Sequence, residues 1–226
     1  MPFEESGSMF LRSSVLVLLV CITGCGPSRV EELISDVQSD DLKVRHAALR
    51  ELAEIGPDAR QASPVVVTAA RDGDGESRRL ACLALGSLFT EAAEGELPAP
   101  TDEVLSSVAT CLNDKQTSVR MSAAFALLAM DSTHAEAQKT LLAAMKRGDG
   151  GIIDRIGRRQ PAATWAVSML VEILQDDRRP GNRRLAAVAL GRIGDDSDAV
   201  RQALQQASAD PDDRVRAAAA EALASD

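Results

Sequence analysis

Five stretches of this chain repeat one pattern, and that pattern allows few folds. With one arginine of each taken as origin, they start at Arg45, Arg78, Arg120, Arg183 and Arg216. Three residues on stand Ala48, Ala81, Ala123, Ala186 and Ala219. Seven residues on stand Leu52, Leu85, Leu127, Leu190 and Leu223. Ten residues on, where the chain runs that far, stand Ile55, Leu88, Met130 and Ile193. Offsets of three, seven and ten make one stripe of an α-helix. Successive origins are 33, 42, 63 and 33 residues apart. A period near 33 marks a solenoid of stacked helix pairs. The gap of 63 has room for two units, so a worn copy is expected inside it.

The units can be drawn from their turns. Helices are expected near 29–38 and 42–55, closed by Gly56-Pro57, a stop signal. The second unit runs from about Pro57 to Ala93, and an inserted loop over 94–100 accounts for the gap of 42. The third has helices near 101–112 and 117–130, and the fourth opens with one near 134–147. The second helix of the fourth unit is the worn copy, Ile152 to Arg159, loosened by Gly148, Gly150 and Gly151 and cut by Pro161. The last two units have helices near 162–175 and 182–193, then 197–207 and 212–224. Asp and Asn in the turns inside the pairs suit N-caps, and could also pair with the repeated arginine of a neighbouring unit. Aromatics are 2% of the chain while hydrophobics are 45%, so the core must be Ala, Leu and Val.

A turn aspartate, then Val-Arg, Ala, Ala-Leu and Ile-Gly at these offsets resemble HEAT repeats, of the short type first noted in phycobilin lyases. The resemblance covers about residues 29–226, with a degenerate repeat near 148–161. It implies an all-α, right-handed α-solenoid of about six helix pairs. Such arrays mostly supply binding surfaces, so the fold says little of function by itself.

Residues 1–24 read as a targeting segment. The apolar run Val15 to Ile22 is too short to span a bilayer and fits the h-region of a signal peptide. Glu4 and Glu5 do not suit a positive n-region, which favours a start at Met9 over Met1. Ile22-Thr23-Gly24-Cys25 resembles a bacterial lipobox, which implies lipidation of Cys25 as the mature N-terminus and residues 25–28 as a tether. The expected location is the bacterial cell envelope, with the chain held to a membrane by lipid and facing the periplasm or exterior.

Catalytic constellations are hard to find. His46 and His134 are the only histidines, three units apart, or about 25 Å at ordinary helix spacing. Some HEAT enzymes carry His-Glu pairs for di-iron; here Ala47 and Ala135 follow the histidines. There is no Cys-x-x-Cys, phosphate loop or Gly-x-Ser-x-Gly. No cofactor and no metal is expected, and no enzymatic activity. Formal charge is −9, which argues against nucleic acid as a partner. Cys82 and Cys111 fall on neighbouring helix ends and could pair as a disulfide in an oxidising compartment, or remain buried thiols.

Two surfaces stand out. Offsets one, five and eight lie opposite the core stripe, on the side that lines the concave face of HEAT arrays. There Leu83, Met121, Phe125 and Leu128 form either an exposed apolar patch or a row buried between adjacent helices. Between Lys146 and Arg184, nine basic side chains, including Arg155, Arg158, Arg159, Arg183 and Arg184, face five acidic ones. That stretch is either a docking site or a solvated face. The expectation is a lipid-anchored scaffold binding another protein on the concave face. A lyase-like enzyme or cofactor-handling chaperone subunit is the alternative.

Overall fold

The computed structural model describes residues 28–90, 99–158 and 160–224. The expected leader with Cys25, most of the inserted loop, and Arg159 lie outside the described residues. Six helix pairs follow one another. They are α1 (Arg29–Val37) with α2 (Leu42–Ile55), α3 (Ser63–Asp72) with α4 (Gly75–Leu88), and α5 (Asp102–Thr110) with α6 (Thr117–Met130). Then come α7 (Ala135–Lys146) with α8 (Gly150–Gly157), α9 (Val167–Asp176) with α10 (Pro180–Ile193), and α11 (Asp198–Ala207) with α12 (Asp213–Leu223).

Local chemistry explains the ends. Ser28 and Glu31 form a reciprocal capping box on α1. Asp41, Asp74, Asp149 and Asp212 accept backbone N–H bonds at the starts of α2, α4, α8 and α12. Gly194 ends α10 in the left-handed region, at φ +67°. The fifth unit differs from a single helix over 162–175. A 3-10 turn over Gln160–Ala166, kinked at Ala163, precedes α9, and Gly56–Ala62 precedes α3 in the same way. Pro57 and Pro161 stand at those entries, where the first turn leaves the N–H that proline lacks without an intrahelical partner.

The core stripe is where the repeat put it. Ala48, Leu52, Ala81, Leu85, Ala123, Leu127, Ala186 and Leu190 are all buried. The second helices stack as a layer, α2 on α4 on α6, then α8 on α10 on α12, more intimately than the first helices do. Glycine at offset eight makes this possible. A Cβ on Gly86 would lie 2.9 Å from Ala126 Cα, one on Gly191 2.7 Å from Ala222 Cβ, and one on Gly157 2.7 Å from Ala189 Cβ. Each glycine therefore rests against the offset-six alanine of the next second helix.

The stack breaks once. The backbones of α6 and α8 stay apart, as do those of α5 and α7. The third and fourth units are joined instead by α7, which packs on α6 more closely than on its own partner α8. By the contacts of Gly157, α8 occupies the later turns of a second helix and lacks the first one. At this seam the glycine slot on α6 holds Leu128, and the alanine slot on α8 holds Arg155. Neither residue permits the close approach used elsewhere.

Candidate partner-binding groove

The seam opens a groove of about 290 Å³. Its floor is α6, through Ser122, Phe125, Ala126 and Ala129. One wall is the exposed side of α4, with Leu83 and Ser87, and Thr90 just past its end; the other is Arg155 of α8 and Arg158, its C-cap. Helix α6 carries no charge after Arg120, and a helix apolar all round is buried. That is why three of the four residues of the expected apolar patch are internal. Met121, Phe125 and Leu128 are 7%, 6% and 1% exposed, whereas Leu83 is 36% exposed. Phe125 still shapes the site, because the Arg155 guanidinium lies 3.9 Å from its ring centroid.

The basic stretch divides the same way. Arg155 and Arg158 line the groove. Arg158 is held by Asp154, and Arg192 lies 3.6 Å from the same carboxylate. Arg183 serves the array instead: it binds Asp210 of the next unit at 2.7 Å and the Asp177 carbonyl of its own turn at 2.9 Å. Arg184 is half-buried on α10, outside the groove lining. The groove lining thus has two guanidiniums and no carboxylate. Of the residues singled out in the sequence, Leu83, Phe125, Arg155 and Arg158 line the groove; Ser87, Thr90, Ser122, Ala126 and Ala129 line it too and were not singled out. The missing signal was the pairing of offsets eight and six across units, which shows where the stack must open.

Elsewhere the histidines are structural. His46 Nε2 lies 3.3 Å from Asp74, and His134 caps α7 through Nδ1. No group of three or more His, Cys, Asp or Glu converges among the described residues, and no described helix is long and apolar enough to cross a membrane. Cys82 and Cys111 are buried free thiols, and the Cys111 thiol donates to the Ala70 carbonyl at 3.4 Å.

The sequence pattern of HEAT repeats matches residues 30–127 and 151–224. The chain belongs to the HEAT-repeat family. The match stops and resumes on either side of the seam, so this HEAT array departs from its family where its groove opens. Among solved structures it is similar to a designed armadillo repeat protein, at 19% identity and a TM-score of 0.51, covering 86% of this chain and 98% of that one. An engineered protein is 22% identical at a TM-score of 0.51, covering 88% and 98%. The phycocyanin lyase complex of Nostoc is 22% identical at a TM-score of 0.42, covering 90% of this chain and 67% of that one. No curated protein matches the chain by sequence. At these identities the two likenesses at a TM-score of 0.51 show the fold alone.

Proposed function

We propose that this HEAT array is a non-catalytic scaffold that holds a segment of a partner protein in the groove at the seam. The observation that carries the reading is the break in the second-helix stack, which opens an apolar floor beside two arginines. The closer packing of the second helices than of the first supports reading their side, and the groove on it, as the concave face. A volume near 290 Å³ is at the small end for organic ligands and suits one or two side chains of a docked polypeptide. An apolar side chain on Ala126 and Ala129, next to a carboxylate near Arg155, matches the lining. Lipidation of Cys25 would hold the scaffold at an envelope membrane, facing the periplasm or exterior.

The site can be tested without disturbing the core. A photo-crosslinking residue at exposed Leu83 should capture a discrete envelope protein, and capture should fail when Arg155→Glu is added. The same probe at Lys139, exposed on α7, should capture none. Equal capture from both positions would remove the groove from the reading. Metabolic labelling with palmitate should mark the wild type and not Cys25→Ser; labelling of both would remove the anchor.

A further inference from the structure

The first and second units meet less closely than the second and third. Helix α1 packs more loosely on α3 than α3 does on α5, and a cavity of about 290 Å³ opens between the two units. One wall is a face of α3, with Val65, Ala69 and Asp72 at helical spacing. The other is Val37 at the end of α1 and Arg45 on α2. Val37 and Ala69 are buried, while Asp72 is exposed at the rim. Arg45 and Asp72 are the only charged residues in the lining.

The cavity stands where the repeat leaves a strut unmade. Arg78 and Arg183 each bind an aspartate six residues ahead of the next repeat's arginine, Asp114 before Arg120 and Asp210 before Arg216. Asp72 stands six ahead of Arg78 and is the matching partner for Arg45. These two do not pair. Asp114 and Asp210 are fixed by backbone N–H groups two residues on, whereas Asp72 ends α3 and Asp74 caps the helix that follows. Arg45 gives Nε and Nη2 to the Ser39 carbonyl, and its Nη1 lies 3.8 Å from Asp74. Both charges therefore sit at the turn end of the cavity. Val65, about 10 Å back along α3, lines the other end.

We propose that this cavity binds a large apolar α-amino acid, whose two charges complete the strut. Its carboxylate takes the donors of Arg45 Nη1, its ammonium meets Asp72, and its side chain lies against Val37, Val65 and Ala69. An α-amino acid carries both charges on one carbon with the apolar body to one side, and the lining has the same arrangement. The volume is at the small end for organic ligands. The site is separate from the groove at the seam and does not depend on what that groove holds.

Titration calorimetry of the full chain with L-leucine tests this. Leucinamide lacks the carboxylate, 4-methylpentanoate lacks the ammonium, and glycine lacks the apolar side chain. Leucine should bind one to one, and each analogue should bind about tenfold more weakly or worse. Leucinamide probes Arg45 without a variant that could loosen the turn it holds. Asp72→Asn, at an exposed position, should melt as the wild type does. It should lose about tenfold in leucine affinity and keep its affinity for 4-methylpentanoate. No binding of leucine at millimolar concentration would overturn the proposal. Equal binding of leucine and 4-methylpentanoate would overturn it too, since the cavity would then accept any small apolar molecule. Undiminished leucine binding by Asp72→Asn would put the site elsewhere and overturn it as well.

Discussion

The repeated arginine is a strut between turns. Arg78 donates to the Gly73 carbonyl of its own turn at 2.7 Å and to Asp114 of the next unit at 2.6 Å. Arg183 does the same with Asp177 and Asp210. Arg120 does not; its hydrogen bonds go to Asp114, Lys115 and Thr117 of its own unit, because the fourth unit offers no equivalent aspartate. Hydrogen bonds from Arg78 and Arg183 hold the Asp114 and Asp210 carboxyls below their usual range, and Arg179 brings Asp177 down to about 2. A depressed carboxylate stabilises the fold above its unfolded value of 3.8 and stops doing so as pH falls through its folded value. The melting temperature should therefore drop between about pH 4 and pH 2. Asp114→Asn should be less stable at neutral pH by ~1–2 kcal/mol, between exposed and buried pairs, and should show a shallower acid drop. Thermal scans of both proteins against pH check this; parallel curves would count against the struts. The arginines were legible as a repeat. Their partners were less so, since Asp41, Asp74 and Asp212 cap helices while Asp114, Asp177 and Asp210 brace turns. One residue type does both jobs, and only its position in the folded turn decides which.

At the scale of helices, small residues set the spacing. Gly191→Val would place a branched side chain where even a Cβ meets Ala222, and overpacking of this kind costs about 1–3 kcal/mol. Urea titration should show that loss; unchanged stability would mean that the helices can move apart freely. The order of the helices was readable from periodicity and turn residues together, and α8 is a short helix where the sequence suggested a worn copy. The opening beside that helix was not readable. Periodicity describes one helix at a time, whereas the seam comes from a mismatch between two, Leu128 against Arg155. For the same reason Met121 and Leu128 could not be placed from their own helix. Their burial depends on the neighbouring helices packed around α6.

For the whole molecule, the seam divides the array into two blocks, 28–130 and 135–224. Repeat arrays are stabilised by nearest-neighbour interfaces, so one weak interface should uncouple the halves. The only tryptophan, Trp165, lies in the second block. Urea unfolding followed by its fluorescence should therefore part from unfolding followed by helical circular dichroism, which reports both. Coincident curves would show that α6 and α7 alone couple the blocks fully.

The corner between α6 and α7 also decides how such an object carries load. Asp131 receives the Thr133 N–H at 2.9 Å and, through its carbonyl, the His134 N–H at 3.2 Å, which makes the corner short and firm. A beam of equal segments bends evenly, but this one has a pivot a little past its middle. Tension applied between its ends would spread the walls of the groove before straining any helix. A molecule tethered at one end and gripped at the other would loosen its hold when pulled and tighten it when compressed.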